Sequence, residues 1–468
     1  MMDIPKLALS YFPAWLRILV LTALGVLISI GLGKFAISHG EMLVQATIMF
    51  AVLLPGFILA SGDSPRLIPY IMLVWVVSPE IRRLYDWMNG QYSTLSILTL
   101  TPLLATGLLV FAIFREKVVL AKPAARIFKA YLAPYIYAAG VGILLNKMAG
   151  IYGVGNYVLP LAILLYLLAK PPSEERKTGW IRSYVAMAVL LSAYAWIQYL
   201  VLPPWDRFWM EGASMASLGI PEPLSFRPFS TLNATATLAI FLVSALVPAI
   251  VSKAYRKPFG WPGIVLIISA LSVTLVRGSW VTLIVCLVAY VLLASGASRF
   301  RMLAAIVFLS GAAYFVFPYL PGGASMADRV STFGSLDEDT SANARIGIVL
   351  HTLPQLAVHP FGTGFGGIGR SAMLDGGSTF SGLGSVDNGY LGIFATFGLI
   401  GGVLFFRALY RHWKLIAGGI RTNGTRVLGL LMIVNLLASF LFGGEINGIG
   451  AVIFWLFTGM ALPAREET

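Results

Sequence analysis

The chain has 468 residues, of which 58% are hydrophobic and 11% charged, and its mean hydropathy is +0.83. Soluble domains carry about 25% charged residues, so the composition excludes a soluble globular class and points to a polytopic membrane protein. The net charge of +13 does not indicate nucleic-acid binding, because the basic residues stand in short loops between apolar runs, as membrane topology requires.

Taken in chain order, the apolar runs approach the roughly 20 residues that cross a bilayer. They predict an all-α polytopic fold of about 14 transmembrane helices, over 16–37, 42–61, 66–78, 93–114, 128–146, 155–169, 181–203, 233–252, 260–277, 279–294, 301–318, 389–407, 425–442 and 446–463. Met1 to Pro13 lacks an Ala-x-Ala-like cleavage site, and the first run is long enough to remain as an anchor. The third is too short to cross unaided. The single cysteine, Cys286, lies mid-span in VTLIVCLVAY, so neither an intrachain disulfide nor a thiolate cluster can form. One integral domain, 1–468, is expected, with two larger loops at 203–232 and 318–388.

Lysine and arginine set the orientation. Five fall in 115–129, four in 170–182, three in 253–257, two in 298–301, and four with His412 in 407–421. All are even-numbered loops, so the positive-inside rule makes that side cytoplasmic and both large loops external. The loop PEIRRLYDWMNG (79–90), with Arg82 and Arg83, is the exception to this pattern.

The interval 318–388 is polar and Gly-rich, an unusual length of chain to place between elements without a functional reason. It carries Arg329, then the acidic run Asp337, Glu338 and Asp339, which has the composition of a solvated turn. ANARIGIVLHTLPQLAVH (342–359) has helical periodicity and contains Arg345 and His351. HPFGTGFGGIG (His359 to Gly369) ends that helix. It lacks the preceding strand and the Lys-Ser/Thr ending of a phosphate-cradling nucleotide loop. His351 and His359 have no third or fourth ligand at a suitable spacing, so no metal site is expected.

Discounting the cytoplasmic charges leaves Arg227, Arg277, Arg329, Arg345, Asp387 and Glu445 at external or buried places. A single arginine at a helix end can snorkel to the interface. Arg277, between two apolar runs in SVTLVRGSWVTL, is harder to explain that way. Guanidinium groups suit phosphate because their planar fork donates two parallel hydrogen bonds. Converging arginines therefore point to an anionic substrate such as a lipid-linked diphosphate. Asp387, at the mouth of an apolar bundle, is a candidate general base and equally a candidate cap for the helix that follows.

Four segments in this order resemble the O-antigen ligase/polymerase superfamily over about 225–405. They are FRPFSTLNATATLA (226–239), TLVRGSWVTLIV (274–285), ARIGIVLHTLPQLAVHPFGTGFG (344–366) and VDNGYLGIFATFGLIGGVLF (386–405). Two departures stand out: Asp387 occupies the place of a histidine in the family's ligases, and Ser230 and Ala234 replace a glycine and a proline.

The resemblance implies a bacterial inner-membrane enzyme whose active face is periplasmic and whose donor is a polyprenyl (undecaprenyl) diphosphate-linked oligosaccharide. The acceptor would be a glycan, and a flippase and a chain-length regulator would work beside it. The implied activity is glycosyltransfer in O-antigen or exopolysaccharide biosynthesis, with Asp387, Arg277 and Arg227 catalytic. Arg345, Arg329, Asn388, Tyr390 and His359 would bind substrate, and no cofactor or metal is expected. Asp387 leans the reading toward a polymerase of repeat units. The alternatives are an O-antigen ligase or related oligosaccharide transferase and, in another class, a lipid-linked oligosaccharide flippase. A flippase would place charge along a central cavity and needs no seventy-residue external loop.

Overall fold

The computed structural model describes residues 41–114, 120, 122–214, 216–293, 340–369, 371–372, 386–418 and 424–462. The expected spans 16–37 and 301–318 lie outside these residues. Among the described residues the architecture is helical, and extended backbone pairs at an isolated bridge between Gly219 and Phe226. Five helical stretches are long and apolar enough to cross a membrane, so the chain is a multi-pass membrane protein.

The helices are α1 (Glu41–Ser61), α2 (Leu67–Met88), α3 (Thr101–Phe114), α4 (Lys122–Ala169) and α5 (Glu174–Val201). A short helix α6 (Pro204–Ala213) leads to α7 (Thr235–Val251), α8 (Gly260–Val273) and α9 (Arg277–Leu293). Then come α10 (Thr340–Val358), α11 (Gly389–Ala417), α12 (Gly424–Phe440) and α13 (Gly448–Met460). In lipid every backbone polar group must be satisfied within the protein, which is why apolar runs of this length fold as helices.

Local chemistry moves several boundaries from their expected places. Helix α5 begins at Glu174 rather than 181, because the Ser173 side chain accepts from the Arg176 N–H and Glu174 and Glu175 occupy the first turn. The short third span becomes the 22-residue α2, which runs on through Pro79. The expected loop at 79–90 is thus mostly helix.

The two arginines that break the positive-inside pattern are buried there. Arg83 has no exposed side-chain surface and pairs with Asp206 of α6 at 3.2 Å and with Glu80. Arg82 pairs with Asp86 at 3.6 Å. Arg83 is held by a partner from another helix and Arg82 by one in its own, so neither charge depends on the cytoplasmic side for a counter-ion.

Helix α4 is two helices. Lys147 has φ 44° and ψ −115°, and a Cβ placed on Gly150 would lie 2.1 Å from the Gly142 carbonyl oxygen. In a continuous helix those residues stand about 12 Å apart. The chain therefore reverses sharply at Lys147, as the separate runs 128–146 and 155–169 predict. Helix α11 is also interrupted, at Gly398 with φ 69° and ψ 175°.

The Gly-rich run after α10 fills both breaks. The Thr363 and Gly364 N–H groups donate to the carbonyls of Ala395 and Thr396 at 2.8 and 3.0 Å, and the Leu399 N–H donates to Pro360 O at 2.8 Å. Phe365 N–H donates to Ala138 O at 2.9 Å. The Asn146 amide donates to the carbonyls of Thr363 and Phe365 at 2.8 and 3.0 Å. The loop thereby satisfies groups that interrupted helices leave open, which is the condition for irregular backbone inside a membrane bundle. Phe365 is fully buried and stacks on Tyr157 at 4.5 Å between ring centroids. The loop is a packing element that ties the segment after α10 to the bundle.

Candidate functional site

The segment 226–235 crosses from α6 to α7 and presents Arg227. Its N–H donates to Leu218 O at 2.7 Å. The guanidinium Nε donates to Thr274 O at 2.9 Å and Nη1 to Ser217 O at 3.3 Å. Two carbonyls thus fix the plane of this half-buried guanidinium. Thr274 belongs to the tight turn between α8 and α9, three residues before Arg277.

Arg277 is the first residue of α9. A cation there works against the helix dipole by about 0.3–1 kcal/mol, so helix stability does not account for it. Together with the positive end of the helix dipole, it makes a place favourable to an anion.

The next residue ties this turn to the α12–α13 connection. A Cβ on Gly278 would lie 2.5 Å from the Phe442 Cβ. Beyond Phe442, a Cβ on Gly443 would lie 2.7 Å from Asp387 Oδ1. The Asp387 carboxylate therefore lies against the 441–447 hairpin. Arg227, Arg277 and Asp387 stand along one rim, linked by contacts at Thr274, Gly278 and Gly443.

The helix cap falls to the neighbouring residue. The Asn388 side chain accepts from the Leu391 N–H at 3.2 Å and starts α11, in the capping role that the sequence offers for Asp387. Asn388 meets the structure as a cap. Tyr390 donates its hydroxyl to Leu437 O at 2.8 Å and stacks on Phe406, which places it against α12. His359, just past α10, is exposed, and its N–H donates to Gln355 O at 2.9 Å. Arg345 lies in α10. Arg329 and the acidic run 337–339 lie outside the described residues.

A shallow cleft opens beside this rim. Its walls include Tyr157, Ile368, Val386, Ile393, Phe440 and Glu445. Glu445 receives a hydrogen bond from the Asn447 amide, which also reaches the Tyr157 hydroxyl at 3.4 Å. Glu445 stands out in the sequence as an external charge, but only the fold puts it in the same cleft as the start of α11. Gly278 was also missed as a site element. Its signal was the Arg-Gly pair in the hairpin motif, and its reason is the close approach of Phe442.

The rim thus carries two arginines, a helix start and the Asp387 carboxylate, with an apolar cleft that holds Glu445 beside it. Such a set can hold a phosphate-bearing lipid and accept a proton from a hydroxyl. Residues 262–406 match a protein-family model described as O-antigen ligase. The match contains Arg277, Arg345, His359 and Asp387, and it begins after Arg227. No curated protein gave a significant match.

Proposed function

We propose, from the match of residues 262–406 to the O-antigen ligase family model, that the chain belongs to the O-antigen ligase/polymerase superfamily and is a polysaccharide polymerase of O-antigen or exopolysaccharide repeat units. It transfers glycan from a polyprenyl-diphosphate donor to an acceptor sugar hydroxyl at the periplasmic face of the inner membrane. The observation that carries this reading is the linked rim: Arg227 bonded to the turn that starts at Thr274, Arg277 at the head of α9, and Asp387 against Gly443.

In this mechanism the donor's lipid lies between helices and its diphosphate meets Arg227 and Arg277, and Arg345 and Arg329 are assigned to substrate binding. Asp387 takes the proton of the acceptor hydroxyl as that oxygen attacks the anomeric carbon. The new glycosidic bond forms while the bond from the anomeric carbon to the diphosphate oxygen breaks. Both electrons leave with the polyprenyl diphosphate. The arginines stabilise the charge growing on that leaving group, the electrostatic contribution that is usually largest. Direct displacement inverts the anomeric centre. Arginines carry the electrophilic role, so the reaction proceeds without a metal. Asn388 and Tyr390 shape the start of α11 beside the acceptor, and His359 marks the loop's edge.

Asp387, in place of the ligases' histidine, favours polymerase over ligase. The test is a strain carrying Asp387→Ala or Asp387→Asn at matched expression, with lipid-linked and surface glycans sized. Accumulation of single repeat units on the outer-leaflet lipid, with loss of polymer, is the expected result. Polymer made but left on its carrier lipid would identify a ligase. Repeat units trapped on the cytoplasmic side would identify a flippase.

A further inference from the structure

We infer that Arg83 is a positioning residue for the donor site, acting through Arg227; this rests on the reading of Arg227 as a ligand of the donor diphosphate. The segment that carries Arg227 passes through Ser230, which has φ +55°, a left-handed conformation that side chains disfavour. This is the place where the resembling family carries glycine. A serine held there needs a frame, and every polar group of Ser230 is engaged. Its N–H donates to Gln198 Oε1 at 2.8 Å and its hydroxyl to Leu191 O at 2.8 Å. Its carbonyl accepts from Arg83 Nη2 at 2.8 Å.

Arg83 is the centre of that frame. Nη1 donates to Leu232 O at 3.0 Å, so its two amino groups grip two carbonyls, at 230 and 232, across the turn. Nε faces Asp206 at 3.2 Å, and Nη2 also meets Glu80. The guanidinium lies over the Phe229 ring at 4.9 Å and the Trp209 ring at 5.6 Å. Arg83 and Asp206 are both fully buried. Only a planar fork reaches both carbonyls and a carboxylate at once; an ammonium is a single point. The grip sits three to five residues from Arg227, whose guanidinium must point at Thr274 for the rim to form. A buried charge used this way fixes one conformation more than it adds stability.

The test uses the purified full-length protein in detergent with a polyprenyl diphosphate as the probe. Binding is measured for wild type, Arg83→Lys, Gln198→Met, Arg227→Ala, and each of the first two variants combined with Arg227→Ala. Arg83→Lys and Gln198→Met are expected to weaken binding about tenfold, on the scale of one charge-assisted contact. In the Arg227→Ala background neither is expected to weaken it further. Gln198→Met loosens the same turn without stranding a buried charge, so it serves where Arg83→Lys does not fold. Additive losses, or lowered thermal stability with unchanged binding, would overturn the inference and leave Arg83 a purely structural residue. Failure of wild type to bind the probe, or indifference to Arg227→Ala, would instead overturn the donor-site reading on which it rests.

Discussion

Replacing Gly364 by alanine probes the threading of the Gly-rich loop through the broken helices. Gly364 has φ +71°, and an added Cβ would lie 2.2 Å from the Gly142 nitrogen and 2.6 Å from its Cα. The left-handed conformation costs a non-glycine residue about 1–2 kcal/mol. The clash is with backbone and cannot be relieved by a rotamer change, which adds about 1–3 kcal/mol. The expected loss is about 2–5 kcal/mol of stability, read as a shift in thermal or denaturant unfolding of the purified protein. Gly140→Ala is the control. It lies in α4 with no heavy atom within 4 Å, so alanine should be neutral or stabilising by up to about 1 kcal/mol. Wild-type stability for Gly364→Ala, or equal losses at both positions, would refute the close-approach argument.

Other outcomes follow from the same geometry. Burial pushes the Asp206 carboxyl up from 3.8 to about 6 against the opposing pull of Arg83, with Glu80 beside it adding to the rise. The Tyr194 hydroxyl lies 2.8 Å from both Asp206 Oδ2 and Glu80 Oε1 and has one proton to donate, so it bonds one of the two carboxylates at a time. The folded state then binds the extra proton, so stability should rise as pH falls from about 7 to 4, by at most about 3 kcal/mol. Asp206→Asn should flatten that rise in unfolding curves, and an unchanged curve would contradict it. Gly278→Ala, meeting Phe442, should shift the 441–447 hairpin and cut glycosyl transfer by tenfold or more; full activity would show the contact to be soft. Tyr390→Phe loses one bond to Leu437 O and should cost about 1 kcal/mol of stability. Loss of activity at unchanged stability would instead put Tyr390 in contact with substrate. Arg277→Ala should abolish polymer synthesis in cells, and intact polymer would remove Arg277 from the mechanism.

Much of the helical frame is legible in the sequence because apolar run length reports directly on the bilayer. The break at Lys147 falls between two predicted spans, and α10 covers Thr340–Val358 where periodicity puts it at 342–359. Arg227, Arg277 and Asp387 stand out because topology leaves them unexplained. What was hidden depends on partners distant in the chain. Arg83 looks like a loop charge until Asp206 and the carbonyls of Ser230 and Leu232 close around it. The third apolar run ends at 78, yet α2 continues through Pro79 to Met88. HPFGTGFGGIG has the composition of a surface turn, and only the gaps in α4 and α11 reveal it as packing. The division of labour between Asp387 and Asn388 could not be read either, since both residue types cap helices.

The most direct test of the central claim is to incubate the purified protein with a polyprenyl-diphosphate-linked repeat unit and analyse the products by mass. Wild type should yield lipid-linked glycans two or more repeats long, with free polyprenyl diphosphate released for each bond made, and Asp387→Asn should yield none. Unchanged single repeats with wild-type protein, or equal products from Asp387→Asn, would contradict the account.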